Sequence, residues 1–299
     1  MNVRVACVGG AVLDRVYEVA ALPGTDGKSR ASSYREFGGG MAGNAAVAIA
    51  RLGGQARWWG RVGDDAIGAG VLAGLAAEGV ATAEARVVEG AVSSHSLVLS
   101  DAEGRRAIVL YRSDGLDPDA SWLPLAAVGG LDAVLADNRW IDGAVAALTA
   151  ARAAGLPAVL DADAGADPRS REAVQAASHA IFSEPGLAEI YGTSDPDEGL
   201  RHAAADAPFV AVTLGEAGLR WRDARGGLAS LPAFPVRAVE TVGAGDVFHG
   251  AFALALAEGQ PPEDALRFAA ATAALKCRGS GGRASYPGRT AVEDLLRQG

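Results

Sequence analysis

Thr241-Val242-Gly243-Ala244-Gly245-Asp246 runs three small residues into a carboxylate, and the stretch that follows, Val247-Phe248-His249-Gly250, has helical composition. Glycines let successive backbone N–H groups turn toward one point, and the start of a helix adds partial positive charge there. Such a hole suits the negative charge that develops on transferred phosphoryl oxygens. Asp246 beside it can accept the proton of an attacking hydroxyl. A plain glycine turn with Asp246 as a helix cap uses the same letters, so the two readings stand together at this level.

A second run, Gly38-Gly39-Gly40-Met41-Ala42-Gly43-Asn44-Ala45-Ala46, allows close approach of a polyol, and Asn44 offers both a donor and an acceptor. Gly38, Gly40 and Gly43 also satisfy G-x-G-x-x-G, with Asp64 spaced for a ribose contact. That dinucleotide reading needs a buried strand before the first glycine, and Tyr34-Arg35-Glu36-Phe37 is charged. Asp161-Ala162-Asp163 reads either as a metal-binding pair or as a strand-end turn. His95, His179, His202 and His249 show no ligand spacing, and His249 is expected to pack. Trp58-Trp59 reads as core or interface.

These groups need elements to position them. Leu131–Ala136, Ala158–Asp161, Ala180–Ser183 and Phe209–Leu214 read as buried strands, and Gly143–Ala154 and Ser170–Ala177 as helices between them. Alternation of this kind implies a mostly parallel sheet with helices on both faces. Asp246–Glu258 and Pro262–Cys277 are the clearest C-terminal helices. Val12–Val19 with Ser29–Phe37, and Val92–Ser100 with Arg105–Tyr111, alternate as half-exposed strands; Asp101-Ala102-Glu103-Gly104 supplies a hairpin turn for the second pair. Four such strands make a small sheet, a lid or a dimer surface.

Composition narrows the class. The chain has 299 residues, 49% hydrophobic and 21% charged, within the range of a soluble globular protein. No apolar run suits a membrane span, and the N-terminus reads as a buried strand entering a glycine turn rather than a signal peptide. Cys7 and Cys277 form no metal or disulfide framework, which fits a reducing cytoplasm. The formal charge of −9 argues against general nucleic-acid binding. Among 27 basic residues, Lys28 and Lys276 are the lysines.

The run ending in Asp246 resembles the C-terminal signature of the ribokinase-like, or PfkB, carbohydrate kinases, and Gly38–Ala46 resembles their N-terminal signature. The resemblance extends over nearly the whole chain and implies one ribokinase-like α/β domain over residues 1–299. A discontinuous β lid would cover approximately 12–37 and 92–111. It implies Asp246 as catalytic base, with Gly243, Ala244 and Gly245 forming the anion hole. Asp14, Gly39, Gly40 and Asn44 would bind the sugar; Thr213, Gly215, Gly218, Lys276 and Gly282 would lie on the ATP side. No Walker sequence is present, so ATP would be held by this other architecture. Gly60–Gly68 matches a family stretch and is read as structural.

Two departures bear on cations. Glu240 stands where the family usually has aspartate, near a monovalent-cation site. The magnesium-organising Asn-x-x-Glu element is matched by Ser183-Glu184-Pro185-Gly186, which leaves Glu184, acting through water, as the acid near Mg2+. The subgroup most similar is the sulfofructose kinases, which phosphorylate C1 of 6-deoxy-6-sulfofructose. Lys28 on the lid and Arg139 match their sulfonate grip, as they match the 6-phosphate grip of related phosphofructokinases. Leu110 stands at the position of a sulfonate-contacting asparagine, with Tyr111 and Arg112 beside it. The expected protein is therefore a magnesium-dependent, cytoplasmic sugar kinase, a homodimer through the lid, with fructose, ribose and 2-keto-3-deoxygluconate as alternative substrates. A nicotinamide-dependent oxidoreductase and a catalytically silent sugar-binding protein are the expectations from other classes.

Overall fold

Short apolar runs become strands where both faces are covered, and in the computed structural model this happens along one large sheet. The structure describes residues 3–24, 26–101, 103, 105–165, 167–223 and 225–298. The first half comprises β1 (Arg4–Val8), β2 (Val12–Val19), β3 (Ala31–Gly39), α1 (Met41–Arg51), β4 (Gln55–Trp59), β5 (Arg61–Gly63), α2 (Ala66–Ala77), β6 (Arg86–Val88), β7 (His95–Ser100) and β8 (Arg106–Tyr111). Next come β9 (Ala133–Asp137), α3 (Ile141–Ala153), β10 (Ala158–Ala162), α4 (Ser170–Ala176), β11 (His179–Ser183), α5 (Glu184–Tyr191) and α6 (Pro196–Ala203). The chain ends with β12 (Phe209–Thr213), β13 (Leu219–Arg222), β14 (Leu228–Leu231), α7 (Ala244–Ala257), α8 (Pro262–Cys277) and α9 (Arg289–Gln298).

The large sheet has the order β14-β13-β12-β11-β10-β9-β1-β4. From β4 to β12 every neighbour pair is parallel, and β13 and β14 extend the edge antiparallel. Alternation along β1 shows why the sheet is buried on both sides: Val5 and Cys7 join one core with α1, α7 and α8, while Ala6 and Val8 join the other with α3 and α4. Trp58 and Trp59, side by side in β4, divide between the same two cores. The parallel strands end along one edge, where an open α/β sheet places its ligands.

A separate four-stranded sheet, β3-β2-β7-β8, stands beside that edge. β2 pairs β3 antiparallel, with Leu13 opposite Gly38 and Val12 opposite Gly39, so the glycine run is the end of a strand. β2 and β7 are parallel, and β7 and β8 antiparallel. In the expected 101–104 turn, Ala102 and Gly104 lie outside the described residues. The dinucleotide reading of Gly38–Gly43 lacks its context: α1 follows a strand of this small antiparallel pair rather than a parallel strand of the large sheet. Asp64, its ribose contact, accepts the Gly90 N–H at 3.0 Å instead.

Helices α1 and α7 cross at the back of the site and are built from Ala and Gly where they touch. A Cβ on Gly250 would meet the carbonyl oxygen of Ala45 at 2.5 Å, so the backbones approach as closely as glycine allows. Gly250→Ala is expected to destabilise the fold by about 2 kcal/mol through overpacking. Urea unfolding followed by circular dichroism should show a lower midpoint at unchanged slope.

Candidate active site

The starts of α1 and α7 meet at the carboxyl edge of the large sheet. Neither is capped by its own preceding side chain: Gly40, at φ 88°, precedes α1 and Gly243, at φ 77°, precedes α7. Both glycines are in the left-handed region that other residues avoid, and a Cβ on Gly40 would strike the Gly10 carbonyl at 2.6 Å. At the α1 start the Ala42 N–H donates to Asp137 at 3.0 Å and the Gly43 N–H to the Gly10 carbonyl at 3.1 Å.

Asp246, in the first turn of α7, accepts Asn44 Nδ2 at 2.7 Å. Arg283 Nε donates to Asn44 Oδ1 at 3.0 Å, which fixes the amide so that its NH2 faces Asp246. Desolvation raises the Asp246 carboxyl to about 6, with Asn44 and Arg139 pulling down and the charges of Asp137 and Asp163 pushing up. A carboxylate tuned in this way is ionised near neutral pH yet basic enough to take a proton. The expected anion hole is narrower than three amides, because the Ala244 N–H donates to the Thr241 carbonyl at 3.1 Å. The amides of Gly245 and Asp246 complete the helix start, and a Cβ on Gly245 would meet nothing within 4 Å.

Behind the base lies a buried group that sequence reasoning assigned only in outline. Asp161, at the end of β10, approaches His249 Nδ1 at 3.2 Å, and that nitrogen also lies 2.7 Å from the Gly245 carbonyl. A carbonyl only accepts, so Nδ1 carries the proton. Burial holds His249 down to about 4, hence neutral, and burial with neighbouring Asp246, Asp163 and Asp137 pushes Asp161 well above the usual carboxylate range. Asp161 is thus a packed strand-end acid, and Asp163 is tied elsewhere, to Ser183 Oγ at 2.7 Å.

Asp137 was not foreseen and ties together the segments around the start of α1. One of its oxygens accepts the N–H groups of Gly10 at 2.8 Å and Ala42 at 3.0 Å, and the other that of Arg139 at 2.9 Å. It thereby joins the ends of β1 and β9 to the start of α1. Asp14 lies over Gly39, where a Cβ would meet its Oδ2 at 2.3 Å, and its Oδ1 accepts Ser96 Oγ at 2.5 Å. Arg283, also unforeseen, is buried and reaches the Gly39 carbonyl at 3.3 Å, tying the small sheet to the helix starts. Nothing in its sequence context distinguishes it from the other arginines.

Two cavities flank this centre. One, of about 290 Å³, is lined by Gly10, Gly40, Met41, Leu110 and the arginines Arg61, Arg112 and Arg139. Arg139 is held in place by Asp163 at 2.8 Å and by the Ala164 carbonyl at 2.8 Å. Arg61 stacks 4.1 Å from the Trp140 ring, and burial pulls its guanidinium down to about 10. Arg112 donates to the Gly165 carbonyl at 2.6 Å from the rim. Among the described residues, neither Arg61 nor Arg112 forms a salt bridge. The other cavity, of about 690 Å³, is mainly apolar and opens onto Ala244 and Gly245; Thr213, Gly215 and Gly218 line it as expected.

Asp14, Gly39, Asn44, Gly243 and Asp246 lie outside both cavity linings, and so do Lys28, Lys276, Gly282 and Glu184. Lys28 is exposed on the connector between β2 and β3, and Gly282 packs beside Phe37 of the small sheet. Lys276 is fully buried, its Nζ donating to the Glu240 carbonyl at 3.0 Å rather than facing a nucleotide. Glu184 is exposed at the start of α5. Gly186 has no room for the missing acid: a Cβ there would lie 2.4 Å from the Ala162 carbonyl oxygen. No group of three acidic, His or Cys side chains suited to a metal exists among the described residues. Magnesium suits the chain only as an ion carried largely by substrate phosphates and water.

Among the described residues, no helix is long and apolar enough to cross a membrane. The chain is 31% identical to the ribokinase of Bacillus subtilis over 296 residues, covering 98% of this chain and 99% of that one. A ribokinase candidate from Agrobacterium tumefaciens superposes with a TM-score of 0.93 at 39% identity, covering 100% of this chain and 98% of that chain. Arabidopsis thaliana ribokinase, solved with ribose and ATP, superposes with a TM-score of 0.86 at 27% identity, covering 99% of each. The pattern of the pfkB family carbohydrate kinases matches residues 2–289. With a carboxylate at a helix start between a nucleotide-sized and a sugar-sized cavity, the chain belongs to the pfkB family of carbohydrate kinases and is an ATP-dependent sugar kinase.

Proposed function

We propose that the chain transfers the γ-phosphate of ATP to a terminal hydroxyl of a small sugar that carries an anionic group at its other end. The best candidate is C1 of 6-deoxy-6-sulfofructose or a related anionic ketose. The observation that carries this reading is the arginine cavity. One turn of α1, roughly 5 Å, separates Met41 on its rim from Asn44, which touches the base. That is the scale of a pentose or hexose. Guanidinium groups without carboxylate partners present planar donors suited to a tetrahedral oxyanion.

In this reading Asn44 and Asp14 orient the sugar hydroxyls across Gly39 and Gly40, and Asp246 takes the proton as the hydroxyl attacks in line. The amides of Gly245 and Asp246 face the developing charge, and Thr213, Gly215 and Gly218 border the nucleotide. Magnesium, when carried in with the phosphates, neutralises their charge. The small sheet acts as a lid, with Lys28 at its connector. Its exposed apolar residues Ile108, Val109 and Leu110 support a homodimer through this sheet. One observation favours a second reading, a neutral sugar such as ribose or fructose: Leu110 lines the cavity and Arg139 is already paired with Asp163.

Coupled ADP release across sulfofructose, fructose 6-phosphate, fructose, ribose and 2-keto-3-deoxygluconate tests the substrate class. Higher kcat/KM for a neutral sugar than for every anionic one would sink the anionic reading. Arg112→Met should raise KM for the anionic sugar about tenfold or more, the worth of one charge-assisted hydrogen bond, with KM for ATP unchanged. Asp246→Asn should lower kcat by about 10²–10⁴-fold while ATP still binds by calorimetry. The raised carboxyl also sets a pH limb. The base works only when ionised, so kcat/KM should fall about tenfold per pH unit as pH drops below about 6. A limb near the ordinary aspartate value of 3.8 would show that Asp246 is not the group titrating.

A further inference from the structure

Lys276 sits in the last turn of α8 with 0% of its surface exposed, and its Nζ donates to the carbonyl of Glu240 at 3.0 Å. Taking an ammonium out of water costs several kcal/mol unless polar groups surround it. In a chain that has two lysines among 27 basic residues, a compact point charge stands here rather than a planar guanidinium. The end of a helix is also where a positive charge is favoured by the backbone dipoles.

What the ammonium grips is the strap that carries the anion hole. Val239 and Glu240 donate their N–H groups to the Cys277 carbonyl at 2.7 and 3.2 Å. Glu240 Oε2 turns back to accept the Gly281 N–H at 2.9 Å. The next residue, Thr241, offers the carbonyl that the Ala244 N–H meets at 3.1 Å, closing the turn from which Gly245 and Asp246 project. Lys276 thus orients the peptide between Glu240 and Thr241, and the next peptide, between Thr241 and Val242, supports the start of α7.

We infer that Lys276 is a positioning residue, a built-in monovalent cation whose charge sets the strap behind the anion hole. The inference rests on the kinase reading of Asp246. It assigns to the chain itself the charge that a bound alkali ion near Glu240 would otherwise supply, so turnover does not require added potassium or sodium.

The test uses the full-length enzyme with its preferred sugar from the panel, in Tris or choline buffers with and without potassium, ammonium and methylammonium chloride. Wild-type turnover should not respond to these cations. Lys276→Ala should lose about 10²-fold in kcat, the effect of a misplaced catalytic group, with KM for the sugar little changed. Ammonium or methylammonium should recover most of that loss by entering the vacated site. Lys276→Gln, which keeps a donor and fills the space without charge, should lose kcat and not be rescued. The inference is overturned by strong potassium activation of the wild type, by a folded Lys276→Ala that no cation rescues, or by Lys276→Gln with wild-type kcat. An alanine variant that fails to fold leaves the glutamine variant to decide. Absence of ADP release by the wild type on every sugar would instead refute the kinase reading, which keeps the two failures apart.

Discussion

The site depends on two helix starts being driven together. α1 and α7 pack so closely that Gly250 leaves no room for a methyl group against Ala45, and this contact brings their N-terminal turns to face one another. Each helix carries partial positive charge at that end, with a glycine rather than a capping side chain before it; at the α1 start the Ala42 and Gly43 N–H groups are taken by Asp137 and the Gly10 carbonyl. The Asn44–Asp246 hydrogen bond spans the gap. Moving either helix would separate Asp246 from Asn44, so a packing constraint among small residues sets the geometry of the candidate site.

The carboxyl edge of the large sheet supplies the second half of that constraint. Asp137 accepts N–H groups from three separate segments, and the close approach is such that a Cβ on Gly9 would fall 2.2 Å from its Oδ1. Arg283 performs a comparable service from the C-terminal turn, joining Asn44 to the end of β3. Buried polar groups of this kind must be fully partnered to be tolerated, and once partnered they hold loops in one arrangement. The small sheet is thereby anchored next to the sugar side while its far strands remain exposed.

Much of this was legible in the residues. Val12–Val19 and Pro262–Cys277 have the observed limits because alternation and helical composition are uninterrupted there. The glycine runs before Asn44 and Asp246 announced helix starts because few other contexts need such residues consecutively. The antiparallel edge β13–β14 was not foreseen, since four-residue strands carry too little periodicity. Asp137, Arg283 and the inward turn of Lys276 were invisible for a different reason. Their partners lie 95 residues away for Asp137 and Ala42 and 239 residues away for Arg283 and Asn44, and no local pattern encodes such pairings. The missing magnesium acid was visible as a letter at 186; only the packing of the Ala162 carbonyl explains why glycine is there.

The charge distribution then divides the site's labour. Carboxyls crowd beneath the base, where Asp137, Asp161 and Asp163 surround Asp246, and their combined field with desolvation makes it a stronger base than a surface aspartate. Left unopposed, the same field would raise the Asp246 carboxyl further and leave less of it ionised at neutral pH. Asn44 and Arg139 oppose it, and the balance near 6 leaves most of the group ionised at pH 7. Burial and the neighbouring Asp246, Asp163 and Asp137 push Asp161 well above the usual carboxylate range beside a neutral His249. On the proposed reading, Arg61 and Arg112 at the opposite end of the smaller cavity would draw an anion into a chain of net charge −9, while Arg139 of the same lining also lowers the Asp246 carboxyl. On that reading, one turn of α1 separates the two ends, and one small substrate would meet both.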